Sequence, residues 1–131
     1  MQVLQPPGWP RPKGYSNGIV AGGKVVFLAG QVGWNEEEKF ETDDFTGQAR
    51  QVFKNIVALL GQAGAGPEHI VRMTWYISDK GEYLASLKGL GAAYREVIGR
   101  HYPAMTVIEV SGFIEDGAKL EVEATAVIPE G

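Results

Sequence analysis

Alternating apolar and polar residues near the end of the chain predict two β-strands. Successive side chains of a strand point to opposite faces, so the apolar positions of the final strand form one face. These positions are Leu120, Val122, Ala124, Ala126 and Ile128. The turn Glu115-Asp116-Gly117 favours a hairpin with the preceding strand, over residues 104–110. We therefore expect the two strands to be neighbours in one sheet.

Three glutamates are the candidate chemical groups of this predicted hairpin. In its first strand, the predicted core residues are Ala104, Thr106, Ile108 and Val110. The other face then carries Met105, Val107 and Glu109, next to Glu121 and Glu123 of the final strand. A carboxylate at a partly dry interface can act as a general base or acid toward water. Taken singly, each glutamate is more often structural, and Glu109 and Glu123 could be solvated strand residues or pair with Arg or Lys of a neighbouring subunit.

The first half of the chain predicts an arm, two strands and a helix. Four prolines among the first twelve residues favour an extended arm over residues 1–14. The pair Gly22-Gly23 lies between two apolar runs and predicts a tight hairpin turn. A helix follows, because apolar residues recur at helical spacing. Its stripe is Ala49, Val52, Phe53, Ile56, Leu60 and Ala63.

The second half adds a strand at residues 70–78 and a second helix capped by Asp79. The stripe of that helix is Tyr83, Leu87, Leu90, Tyr94 and Val97. Gly89 and Gly91 lie within it, and glycine is costly in a helix interior, so we expect another group to approach the backbone closely.

The predicted order is β-β-α-β-α-β-β, which defines an α/β (α+β) protein with a single domain over residues 1–131. One mixed sheet with both helices on one face buries the apolar stripes. The other face of the sheet remains uncovered. We expect it to carry large side chains, namely Trp75 or Tyr76, Phe27 or Leu28, and the row of Met105 and Val107. Such a face predicts self-association, most commonly as a closed symmetric oligomer.

Composition excludes several kinds of chemistry. The chain has no cysteine, so it has neither disulfides nor a thiolate nucleophile or metal ligand. His69 and His101 are too isolated to predict a metal site. The net charge is −4 and the basic residues are scattered, which disfavours nucleic-acid binding. There is no apolar run long enough for a membrane span and no signal-peptide pattern, so we expect a cytoplasmic protein that binds no membrane.

Several short motifs together resemble those of the Rid (YjgF/YER057c/UK114) family. They run in the family's order and spacing through nearly the whole chain from Tyr15 onward. The motifs are Tyr15-Ser16-Asn17-Gly18, Val26-Phe27-Leu28-Ala29-Gly30-Gln31, Gln48-Ala49-Arg50-Gln51, the segment 70–79, Ala93-Tyr94, Pro103-Ala104 and Leu120-Glu121-Val122-Glu123-Ala124-Thr125-Ala126.

The resemblance implies a chorismate-mutase-like fold that assembles as a homotrimer, with a small-molecule pocket at each subunit interface. For the best-known branch it also implies hydrolysis of reactive imines and enamines to a 2-oxo acid and ammonia, without a metal or organic cofactor. In that branch an arginine after the Pro-Ala pair holds the substrate carboxylate, and a glutamate on the last strand orients water. Here the matching glutamate is Glu121, the predicted catalytic residue.

The chain departs from the family pattern at the substrate anchor. The residue after Pro103-Ala104 is Met105, which has neither charge nor donor and cannot replace a guanidinium. Ala29 stands where the family commonly has serine, and Gly91 where it often has asparagine. The predicted substrate-binding residues are Tyr15, Ala29, Gly30, Met105 and Val107. Arg72, Arg95 and Arg100 are the candidates for a replacement cation.

Two functions from different classes follow from this departure. The first is a hydrolytic, deaminase-like trimer whose substrate is larger or less acidic than the simplest 2-imino acids. The second is a non-catalytic protein of the same architecture that binds a small metabolite or regulates a partner. Ribonuclease activity, which some relatives are described as having, fits poorly with the acidic charge.

Overall fold

The computed structural model of the protein describes residues 1–130 and confirms the mixed α+β class. The elements are β1 (Gln2–Leu4), β2 (Gly18–Val20), β3 (Lys24–Val32), α1 (Phe45–Gln62), β4 (Ile70–Ile77), α2 (Lys80–Ala85), α3 (Leu87–Val97), β5 (Ala104–Glu109) and β6 (Leu120–Ile128), with a 3-10 turn at Pro67–His69 before β4.

The main sheet has four strands in the order β3-β6-β4-β5. The predicted hairpin between β5 and β6 is wrong, because β4 lies between them and pairs in parallel with β5. Burial explains the difference. Alternate residues of β6 from Leu120 to Ala126 are fully or almost fully buried, whereas every residue of β5 keeps some exposure. The more apolar strand therefore takes a central place and β5 becomes an edge.

The parallel pairing also reverses the predicted orientation of β5. Met105 is opposite Met73 and Val107 is opposite Trp75, on the face that packs against the helices. Glu109 follows the same side, so it does not share a face with Glu121 and Glu123 as predicted. Both faces of β5 carry apolar residues, so its period-two pattern alone does not fix its orientation.

The N-terminal hairpin prediction is wrong as well. The Gly22-Gly23 connection leads into β3, but β2 pairs with β1 in a separate two-stranded sheet, with Val3 opposite Ile19. Part of the extended arm thus provides the partner of β2. Gly23 has a φ of 143°, and a side chain there would overlap the backbone of Ile128. Glycine is the residue that accepts this conformation.

Three helices, rather than the two predicted, cover one face of the main sheet. Asp44 caps α1 by accepting from the amide of Gly47 at 2.8 Å, and Asp79 caps α2 through the amide of Glu82 at 3.0 Å. The second predicted helix is divided at Ser86, whose hydroxyl donates to the carbonyl of Glu82 at 2.7 Å. This break turns α3 so that Leu90, Ala93 and Tyr94 enter the core.

The opposite face, here named the open face, is not covered by a helix. Its side chains include Phe27, Arg72, Thr74, Tyr76, Thr106 and Ile108. Phe27 is 79% exposed and Ile108 is 45% exposed. Of the large residues expected here, Phe27 and Tyr76 do lie on this face, whereas Met105 and Val107 lie on the other.

Gln48 joins three parts of the chain from a fully buried position on α1. Its Nε2 donates to the carbonyls of Thr42 at 3.0 Å and Gly117 at 2.9 Å. Its Oε1 accepts from the backbone amide of Lys119 at 2.9 Å. The loop before α1 and the connection before β6 are thereby fixed to the same helix.

We expect Gln48→Met to lower the free energy of unfolding by about 2–4 kcal/mol, because three part-buried hydrogen bonds to the backbone are lost while the side-chain volume is kept. Urea unfolding at one fixed protein concentration measures the change. Gln51→Met is the control, since the Gln51 amide donates only to the Asn55 side chain. A stability change no larger for Gln48→Met than for this control would contradict the prediction.

Candidate functional site

The main candidate site is a cleft of about 640 Å³ on the helix side of the sheet, at the β5 edge. We call it the α3 cleft. Helices α2 and α3 form one wall, and the segment 13–15 together with Met105 and Val107 of β5 forms the other. Most of its lining is apolar or aromatic, with a few polar groups, which is the usual composition of small-molecule sites.

Tyr15 reaches this cleft because the next residue is firmly held. Ser16 is buried and its amide donates to the carbonyl of Pro103 at 3.0 Å, while its hydroxyl donates to the carbonyl of Tyr102 at 2.5 Å. Ser16 also forms an isolated parallel bridge with Ala104. The segment is therefore tied to the start of β5, which places Tyr15 beside Met105 in the cleft.

An aromatic wall faces these residues. Tyr94 and Tyr102 stack with ring centroids 5.5 Å apart, and Tyr94 also meets Phe53 edge-on at 5.4 Å. Burial raises the pKa of Tyr94 strongly, so it stays a neutral phenol that donates to the carbonyl of His101 at 2.6 Å. Tyr83, whose pKa is also raised by burial, packs edge-on against Phe45. This wall offers flat apolar surface to a ligand.

The structure distinguishes the three candidate arginines. Arg95 lines the α3 cleft, where Lys13 is the other cation. Arg72 instead lies on the open face, and Arg100 lies in a separate surface depression near the N-terminal arm. Only one of the three candidates therefore shares a cleft with Met105.

Glu121 and its neighbours lie elsewhere. Glu121 is opposite Tyr76 and belongs to the open face of the sheet, in a shallow depression beside the segment 110–114. A Cβ atom at Gly30 would overlap the Glu121 carboxylate, so glycine leaves the space that this side chain occupies. Ala29 lines the groove of the open face. Within one chain the predicted site residues thus form two groups, one with Tyr15, Met105 and Val107 and another with Ala29, Gly30 and Glu121.

The other two glutamates have structural partners. Glu123 accepts from the hydroxyl of Tyr76 at 2.9 Å, and this hydrogen bond raises the pKa of Tyr76. Glu109 accepts from the amide of Lys80 at 2.6 Å, at the start of α2. Among residues 1–130, Glu121 is the one of the three without such a partner. Glu109 and Glu123 thus each accept a hydrogen bond from another element of the chain.

Several cleft residues were not predicted from the sequence as site residues. Tyr83, Leu87 and Tyr94 were assigned only to the apolar stripe of a helix. The glycines within that helix do not point to them. A Cβ atom at Gly91 would lie 3.3 Å from Nη1 of Arg95, which belongs to the same helix. At Gly89 the nearest group is Thr46 at 3.4 Å.

These observations define a small α+β protein with an aromatic cleft at one sheet edge and an uncovered face on the same sheet. The chain belongs to the Endoribonuclease L-PSP family, whose model matches residues 10–128, and the resemblance to the Rid/YjgF family is confirmed. A RutC family protein of Aquifex aeolicus is 32% identical over 130 residues, which cover 97% of this chain and 99% of that protein.

Two further relatives bear on fold and activity. YyfB of Yersinia pestis, a member of the conserved Rid protein family, superposes with a TM-score of 0.85 at 27% identity, covering 97% of this chain and 98% of its own. The 2-iminobutanoate/2-iminopropanoate deaminase of Salmonella typhimurium is 29% identical over 108 residues, which cover 80% of each chain. Among residues 1–130, no helix combines the length and the apolar character needed to cross a membrane.

Proposed function

We propose that this protein is a cytoplasmic homotrimer that hydrolyses a reactive imine or enamine at a site completed between subunits. Glu121 orients and deprotonates the attacking water, and Tyr15, Ala29, Gly30, Met105 and Val107 contact the substrate. No metal or organic cofactor takes part. The substrate is larger than the simplest 2-imino acids.

One observation carries the proposal: the predicted site residues form two groups on opposite faces of the sheet. A water activated by Glu121 has no route to a ligand beside Met105 within one chain. A second copy that covers the open face can bring its own Glu121 to the α3 cleft of the first. The exposed Phe27 and Ile108 supply an apolar surface for that contact. The deaminase relative supports the reaction class.

The proposed reaction balances without an external reagent. Water adds to the carbon of the C=N bond while the carboxylate of Glu121 accepts a proton from that water and passes it to the imine nitrogen, which gives a neutral carbinolamine. Glu121 then accepts the hydroxyl proton of the carbinolamine and delivers it to the nitrogen as the C–N bond breaks. A C=O group forms, ammonia leaves, and Glu121 is again a carboxylate. A carboxylate in hydrogen-bond reach of water can supply this general acid–base catalysis.

Ammonia release from freshly generated imines tests the proposal. We expect the kcat/KM of the natural protein for an imino acid with a large apolar side chain to be at least about tenfold higher than for 2-iminopropanoate.

Met105→Arg restores a bidentate carboxylate anchor on β5, so it should raise activity on 2-iminopropanoate by about tenfold or more. No ammonia release above the uncatalysed rate from either imine, in either protein, would refute the proposed hydrolysis.

The alternative function is metabolite binding without turnover. It is favoured by Met105, because the loss of a charged anchor removes a contact on which hydrolysis of small imino acids would depend. In that case the α3 cleft would bind ligand, and substitution of Glu121 would leave the protein's biological effect intact. Ribonuclease activity would have to co-purify with the oligomer to be attributed to this chain.

A further inference from the structure

We propose that Arg95 of α3 is the anion anchor of the α3 cleft, and that the cleft selects a carboxylate attached to an aromatic or bulky apolar group. The assignment of a reaction to this cleft rests on the proposed function, but ligand binding by Arg95 does not. The inference depends on the charges, the space and the polar groups found around α3.

The charges in the cleft have one sign. Its lining includes Arg95 and Lys13 but contains no aspartate or glutamate. Neither cation forms an ion pair with an acidic side chain within the described part of the chain, in contrast to Arg50, which pairs with Glu96 one residue beyond Arg95. A cleft with unpaired cations and low-dielectric walls concentrates anions. Its ligand is therefore expected to be negatively charged.

Gly91 leaves room for the Arg95 side chain. Residues 91 and 95 are four apart on α3 and lie on the same face of the helix. A hypothetical Cβ at Gly91 would lie 3.3 Å from Arg95 Nη1, so the guanidinium lies over the preceding turn of the helix, and both residues line the cleft. A longer side chain at residue 91 would compete with the guanidinium for this space.

A second polar group in the cleft also lacks a partner. Trp75 lines the cleft and is only 4% exposed, and its indole N–H has no acceptor among residues 1–130. Buried donors are nearly always paired, so this one is unusual. The indole nitrogen is itself out of contact with solvent, so Arg95 is the donor of the two that an anion in the cleft can reach.

The apolar part of the ligand follows from the wall. Tyr83, Tyr94 and Tyr102 present aromatic surface, and Met105 adds a flexible apolar side chain. A volume of about 640 Å³ is much larger than a three-carbon acid requires. An aromatic or branched carboxylate fills this space and reaches the helix-borne guanidinium.

Binding of 3-phenylpropanoate and its neutral amide tests the anchor without any turnover. By calorimetry, we expect the acid to bind the natural protein at least about tenfold more tightly than 3-phenylpropanamide, since a charge-assisted hydrogen bond is lost in the amide. Arg95→Ala should abolish this preference, and Arg95→Lys should keep part of it. Arg100→Ala, an exposed arginine outside the cleft, is the matched control and should leave the preference unchanged.

Equal binding of acid and amide by the natural protein would overturn the inference. It would also be overturned if the Arg95 and Arg100 variants lost the preference for the acid to the same extent, because that would indicate a general charge effect.

The turnover experiment tests the same residue during hydrolysis. Arg95→Ala should raise KM for the imine of phenylpyruvate by about tenfold with kcat changed less. If the natural protein binds the acid through Arg95 but releases no ammonia, the proposed hydrolysis fails while the anchor stands.

Discussion

Glu121→Gln is expected to lower kcat for imine hydrolysis by about a hundredfold or more while ligand affinity changes little. The amide has nearly the same shape as the carboxylate, so it fills the space left by Gly30 without disturbing β6. It cannot accept a proton from water, and the chemical step loses its general base. Single-turnover ammonia release gives the rate of that step, and calorimetry with 3-phenylpropanoate gives the affinity.

Glu123→Gln is the matched control for this experiment. Glu123 lies two residues further along the same strand and the same face, and it accepts a hydrogen bond from Tyr76. Glutamine can still accept that bond through its carbonyl oxygen, so this variant removes one negative charge of the same face without removing the contact. If the two variants lose activity to the same extent, Glu121 has no special role and the hydrolytic proposal is refuted.

The fold class was predictable from sequence because burial and spacing are strong signals in the long elements. The stripe of α1 and the alternation in β6 each bury one face almost completely. Pairing was not predictable to the same degree. A Gly-containing turn before β6 favours a hairpin locally, but it carries no information about β4, which lies much earlier in the chain and inserts between β5 and β6. The order of the strands instead follows from the burial of β6 between strands that are distant from one another in sequence.

The sequence predicted individual site residues but not their arrangement in space. The family resemblance identified Tyr15, Met105 and Glu121. The sequence did not indicate that Glu121 lies on the opposite face of the sheet from the other two. Their separation depends on the parallel register of β5, which the alternation of β5 leaves open. Arg95 was one of three equivalent candidates, and the fold of α3 distinguishes it from Arg72 and Arg100.

The separation of Glu121 from the α3 cleft links activity to assembly. If a neighbouring copy supplies the catalytic carboxylate, then any change that keeps chains apart must also stop hydrolysis, even when the cleft itself is unchanged. Ligand binding through Arg95 should survive in such a variant, because the cations and the aromatic wall belong to one chain. Assembly and ligand binding can therefore be measured separately.

Phe27→Asp is expected to convert the proposed homotrimer to monomers at micromolar concentration. Phe27 is 79% exposed in the single chain, and its burial in an interface would contribute about 1.5–3 kcal/mol in each subunit. An aspartate at the same place would have to be buried without a partner, which costs more than the lost apolar contact. Light scattering should then give the 14.2 kDa mass of one chain rather than three times that mass.

Leu59→Asp is the control for the assembly experiment, because it adds the same charge at an exposed apolar residue of α1, on the helix side of the sheet. We expect this variant to keep the mass and the hydrolysis rate of the natural protein. The Phe27 variant should lose hydrolysis by about a hundredfold yet bind 3-phenylpropanoate as the natural protein does. Full activity in a Phe27→Asp monomer would mean that one chain holds a complete site, and a monomeric natural protein would refute the trimer itself.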